Sequence, residues 1–249
     1  MKQSVRVKKR MILFEGCNRN MILKEFDLDL PYTGKNGKQD YDDNWKAKRI
    51  KFRDEVRCIA SFYERVFEKK SIVDDYWKVL IECVDTITDS RVRNLLGVCT
   101  VQVELDIEEY FHLSNCEKKR IVLGLLKSGI EKIVEAKGWD YTPFDKAYNN
   151  IVMNNYTNTW IWKKPKKSPD KKYSAEVFCE HEVGSFDISI IIKSKNGNEM
   201  KRVKVKSDRP NEWAYAQNLG ALDWVSSDEV VLVNKEQTEH WSISIAEIK

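Results

Sequence analysis

The stretch "SFDISIIIKSKNGNEMKRVKVKSD", residues 185 to 208, constrains the fold of this chain more than any other part of it. An Asn-Gly pair between two alternating runs is the strongest short-range signal of a β-hairpin, because both residues tolerate the positive φ that a tight two-residue turn demands. With Asn196 and Gly197 at the centre of a type I′ turn, Lys195 pairs with Asn198. Ile190 then faces Val203 and Ile188 faces Val205 on one side of the ribbon. Asp187 faces Lys206 and Ser189 faces Lys204 on the other, so the isoleucine side requires an apolar layer to cover it. A second hairpin, "EVVLVNKEQTEHWSISI", closes the chain. Two further strands, around Trp160 and Val177, complete a mostly antiparallel C-terminal sheet.

The preceding half reads differently. In "NMILKEFDLDL" Ile22, Lys24, Phe26, Leu28 and Leu30 share one face of a strand, expected to pair with "VRVKKRMILF" near the start. From about Trp45 to Lys69 the residues Phe52, Val56, Ile59, Ala60, Tyr63, Val66 and Phe67 recur at helical spacing. A shorter helix is expected with Tyr76, Val79, Leu80, Cys83, Val84 and Ile87 on its buried side. "VCTVQVELDIEEYF" returns to period two, with Val101, Val103, Leu105 and Ile107 inward. Ser114 and Glu117 then form a capping box for a helix that Gly138 ends, and Thr142-Pro143 opens a last short helix. The expected class is α+β: an N-terminal strand pair with three or four helices, then the antiparallel sheet built from two hairpins. The change in character places a boundary near residue 155, giving a helix-rich part, 1–155, and a β-rich part, 156–249, which can also form one continuous domain.

Composition removes several function classes. The 43 basic and 39 acidic residues among 249 leave a net charge of +4, too near balance for a polyelectrolyte binder by charge alone. No apolar run approaches the roughly 20 residues that cross a bilayer, and the patch Met11 to Phe14 is too short for the core of a signal peptide. Six scattered cysteines without close pairs read as reduced thiols, which suits the cytoplasm. The ten glycines form neither GxGxxG nor a phosphate loop, so no nucleotide cofactor is expected. There is no GxSxG elbow, and an acidic residue two before Lys193 or Lys195, as a nuclease motif requires, is missing. His181 shares a strand face with Cys179, and His240 lies on the closing hairpin. A packed or hydrogen-bonded role fits these histidines better than a zinc site that lacks a fourth ligand. No catalytic residue and no metal ligand is assigned.

Three constellations remain. Glu104, Asp106 and Glu108 alternate where a strand would project them from one face, forming an acidic surface for a basic partner or, in an enzyme, for a divalent metal. Trp213, Tyr215 and Trp224 fall in turn-rich sequence between the hairpins, and Trp and Tyr are common anchors of protein interfaces. Trp160 and Trp162 precede Lys163, Lys164, Lys166 and Lys167, the aromatic-plus-cation pattern of a single-stranded nucleic-acid site. The bland alternative makes "KKPKKSPDKK" a solvated connector and both indoles core. The leading expectation is a cytosolic bacterial protein that acts by binding another protein, in the manner of an immunity or antitoxin-like protein that neutralises a toxin. A nucleic-acid-binding or nucleic-acid-processing protein is the alternative, and a divalent-metal-dependent enzyme the third reading.

Overall fold

A computed structural model describes residues 21–34, 36–68 and 73–245. The expected first strand, "VRVKKRMILF", and Cys17 lie outside the described residues. Within them the fold is α+β. Its first sheet has the order β2-β4-β6-β5, from β2 (Glu25–Asp29), β4 (Lys78–Val84), β6 (Val98–Glu104) and β5 (Arg93–Leu95). A two-residue pairing of β1 (Met21–Ile22) with β3 (Val73–Asp74) stands beside it. β2 and β4 run parallel, joined through α2 (Lys46–Val66), to which a helical turn α1 (Gly37–Asp40) leads. Phe26, Leu28, Val79, Ile81, Cys99 and Val101 are fully buried in one core with α2, α4 (Asn115–Lys137) and α5 (Thr142–Met153).

Two expectations fail here. Residues 76 to 87 are not a helix, because β4 occupies Lys78–Val84 and lies between two parallel neighbours. Val79, Ile81 and Cys83 are buried whereas Lys78, Leu80 and Glu82 are half-buried, a period of two that also satisfies a short helical pattern. Residues 98 to 108 are not one strand either. The chain leaves β6 at Glu104 and enters α3 (Ile107–His112), because the Asp106 carboxylate accepts the backbone N–H of Glu109 at 2.9 Å and so caps a helix. By contrast, the Ser114–Glu117 capping box forms as read, and Gly138 ends α4 at φ 66°.

The C-terminal part forms two sheets. β7 (Thr159–Lys167), β8 (Tyr173–His181), β9 (Phe186–Ser194) and β10 (Glu199–Asp208) make an antiparallel meander. β11 (Ala221–Trp224), β12 (Glu229–Val233) and β13 (His240–Ser244) form the second, so the two hairpins belong to different sheets. Val177, Ile188 and Ile190 of the first share a buried core with Leu222, Val230, Leu232 and Ile243 of the second.

The β9–β10 hairpin keeps its register at Ile190↔Val203 and Ser189↔Lys204, but its turn differs. Ser194 C=O accepts the N–H of Gly197, and Ser194 N–H donates to Asn198 C=O, both at 2.9 Å. Lys195 and Asn196 therefore sit at the centre, and Gly197 takes the left-handed position after them at φ 86°. A bulge between Lys204 and Lys206 then moves Lys206 opposite Ile188. Lys204, not Lys206, pairs with Asp187, at 2.6 Å.

A close backbone approach fixes the start of β11. A Cβ on Gly220 would lie 2.4 Å from the Asn234 carbonyl oxygen. Backbone cannot yield as a side-chain end would, so Gly220→Ala should cost about 1–3 kcal/mol of stability, measurable by urea denaturation.

Candidate functional site

The segment Arg209 to Ala216 crosses from the C-terminal sheets to helix α2 and is held at several points. Arg209 pairs with Asp54 at 2.6 Å, and the Asn211 side-chain amide donates to Asp54 at 3.2 Å. Asn211 also caps a short turn, α6 (Glu212–Tyr215), by accepting the N–H of Trp213 at 3.0 Å. Glu212 accepts from Arg57 Nε at 3.0 Å. Tyr215 is only 7% exposed, and its ring stacks on Phe186 with centroids 3.5 Å apart.

Between these anchors Trp213 is 94% exposed. An indole gains from leaving water, so a tryptophan left outside on a rigid support is what a binding surface presents. Two clefts flank it. One, of about 560 Å³, is lined by charged residues that include Lys24, Glu25, Arg53, Arg57 and Glu212. The other, of about 510 Å³, includes Ile50, Arg53, Asp54 and Arg209.

The floor of the first cleft is an ion network around Arg57, which α2 directs towards the edge of β2. Its guanidinium is 13% exposed and meets Glu64 at 3.2 Å, Glu212 at 2.5 Å and Asp27 at 3.7 Å. Lys78 adds a second cation to Asp27 at 2.9 Å. Burial opposes the Arg57 charge, but the carboxylates of Glu64, Glu212 and Asp27 outweigh it and hold its pKa above the ordinary value. Carboxylates also close the outer edge of β2. The N–H groups of Phe26, Leu28 and Leu30 donate to Glu64, Asp27 and Asp29 at 3.0, 3.0 and 2.9 Å. With its donors occupied, this edge offers little to an incoming strand.

A buried polar joint lies alongside. His181 is fully buried, with Nε2 3.0 Å from the Pro210 carbonyl and Nδ1 3.0 Å from Ser61 Oγ. A carbonyl can only accept, so Nε2 carries the proton and Ser61 donates to Nδ1. Asn158 donates to the Cys58 carbonyl at 2.6 Å and to Ser61 at 3.2 Å. Burial lowers the His181 pKa to about 4, so the ring is neutral near pH 7. The hydrogen-bonded reading of this histidine agrees with the geometry. Cys179 is buried nearby in sequence and His240 is exposed, and among the described residues no His, Cys, Asp and Glu cluster could hold a metal.

The other sequence candidates are distributed as follows. Glu104, Asp106 and Glu108 do not share a face: Glu104 ends β6, Asp106 caps α3, and Glu108 pairs with Lys48 from within α3. Tyr215 belongs to the core. Trp224 is half-buried and donates from its indole to the Lys166 carbonyl at 2.9 Å.

Trp160 and Trp162 are half-buried against the C-terminal core. The Arg65 guanidinium lies over the Trp160 ring at 4.4 Å, and Lys163 Nζ over Trp162 at 4.0 Å. The lysine run is not a loop from Lys163 onward, since β7 continues to Lys167. It does so because β7 is an edge strand, where the irregularity between Trp162 and Lys166 accommodates Pro165. Lys163 donates to the Gly220 carbonyl at 3.1 Å, and Lys166 pairs with Asp223 at 2.9 Å. Lys164 and Lys167 point into solvent.

The sequence reading passed over Arg49, Arg53, Arg57 and Glu212. For the three arginines the available signal is their spacing of four in "RIKFRDEVR", which puts them on one face of the helix, and Glu212 carries no such signal.

Compared with family models, with curated proteins and with solved structures, the chain matches none of them.

Proposed function

We propose that this protein works by binding another protein through the surface centred on Trp213. The observation that carries this reading is the indole's 94% exposure on a segment pinned at Asp54, Arg57 and Phe186. With the backbone beneath it pinned, only the two side-chain torsions of the indole remain to be fixed on association, a low entropic cost for so large a contact surface. The charges on either side supply orientation.

The toxin-neutralising form of this reading has no separate support in the geometry. In the nucleic-acid alternative Trp160 and Trp162 would have to stack bases while packed against the C-terminal core with Arg65 and Lys163 over their rings, whereas Trp213 is exposed without rearrangement. The metal-enzyme reading loses the shared face of Glu104, Asp106 and Glu108 on which it rested.

The test compares proteins captured from cell lysate by the wild type and by Trp213→Ala, quantified by mass spectrometry. At least one protein should be retained by the wild type and lost with the variant. Identical capture by both would refute the reading.

A further inference from the structure

Three arginines follow one another at four-residue spacing on α2, and two of them are locked. Arg49 donates from Nε to Asp29 at 2.8 Å. Arg57 holds the network of Asp27, Glu64 and Glu212. Arg53, between them, has no carboxylate partner among the described residues, although it lines both clefts beside Trp213. Exposed and taken up by no carboxylate of this chain among the described residues, Arg53 keeps its whole fork of donors for a ligand. Lys24, exposed at the rim of the first cleft, is likewise without an ion-pair partner there.

Resting on the protein-binding reading above, we infer that Arg53 and Trp213 form a two-point anchor for an acidic segment of the partner protein. A partner carboxylate takes the Arg53 fork, in the pattern that Asp29 already supplies to Arg49, and an apolar or aromatic side chain lies on the Trp213 indole. Lys24 receives a second carboxylate. The first cleft also contains Glu25, Glu64, Asp27 and Glu212. Arg57 and Lys78 offset Asp27, Glu64 and Glu212, and Glu25 separates the free charges of Arg53 and Lys24, so the cleft suits the spaced carboxylates of a peptide better than a continuous polyanion such as a nucleic-acid backbone.

The experiment selects a phage-displayed library of random dodecapeptides on the immobilised protein, with synthetic copies of the recovered peptides measured by isothermal titration. Recovered peptides should combine Asp or Glu with an aromatic or large apolar residue. Their affinity should fall at least about tenfold with Arg53→Glu and with Trp213→Ala, while both variants keep the wild-type melting temperature. Peptides that depend on Trp213 but show no acidic bias and ignore Arg53→Glu would overturn the anchor and leave the protein-binding reading intact. Peptides indifferent to Trp213→Ala, or no enrichment at all, would overturn both. So would salt-sensitive binding of oligo-dT that Trp213→Ala abolishes while no peptide binds.

Discussion

Arg57→Ala should lower the free energy of unfolding by about 3–5 kcal/mol, whereas Arg53→Ala, one turn earlier on the same helix, should change it by less than about 0.5 kcal/mol. Both are arginines on α2, and the difference lies in what each touches. Removing the Arg57 guanidinium leaves Asp27, Glu64 and Glu212 close together with only Lys78 to offset them. Asp27 and Glu64 are largely out of water, and of the two only Asp27 keeps a cation, Lys78, so the Glu64 charge is left with neither full solvation nor an ion-pair partner. The change would also detach Glu212, and with it the support beneath Trp213. Arg53 is exposed and has no ion pair among the described residues, so its removal leaves no carboxylate stranded. Urea denaturation of both variants provides the comparison. Similar losses for the two would show that the Arg57 network does not stabilise the fold as described.

Acidification should cost stability through His181. In the folded state burial holds its pKa at about 4, against about 6.5 for an unfolded histidine. Between these values the unfolded chain binds the extra proton and the folded chain does not, so stability falls as pH falls. The contribution is complete above about pH 6.5, declines towards pH 4, and amounts to roughly 3 kcal/mol over that window. His181→Gln separates this effect from the carboxylates, which also titrate at low pH. Glutamine can still donate to the Pro210 carbonyl and accept from Ser61, but it cannot be protonated. Chemical denaturation from pH 7.5 to 4 should show a shallower decline for the variant. Parallel curves would mean that His181 does not carry the acid sensitivity.

Local rules read from sequence survived where one element sufficed to decide them. The Ser114–Glu117 box, Gly138, Thr142-Pro143 and the pairing of Ile190 with Val203 each depend on near neighbours along the chain or across one hairpin. Errors arose where a distant partner decided the outcome. Residues 78 to 84 are a strand because β2 and β6 lie on either side of them, a fact that apolar spacing does not contain. The alternation of Glu104, Asp106 and Glu108 looked like a strand face, but Asp106 used its carboxylate to start a helix. The turn at Gly197 shows a smaller version of the same limit: an Asn-Gly pair marks the hairpin but not whether both residues or Gly197 alone are left-handed.

The candidate site was legible only in part. Trp213, Tyr215 and Trp224 share one turn-rich stretch, and residue type alone does not distinguish an indole in water from a ring stacked on Phe186. That separation comes from Asn211 and Glu212, which tie the turn to Asp54 and Arg57, more than 150 residues earlier in the chain.

Titration of a purified partner against wild type and Trp213→Ala, with melting curves recorded for both, addresses the central claim most directly. The affinity should fall by at least about 2 kcal/mol, roughly thirtyfold, as expected for an interface anchor, and the melting temperature should not move. Equal affinities for the two proteins would contradict the account.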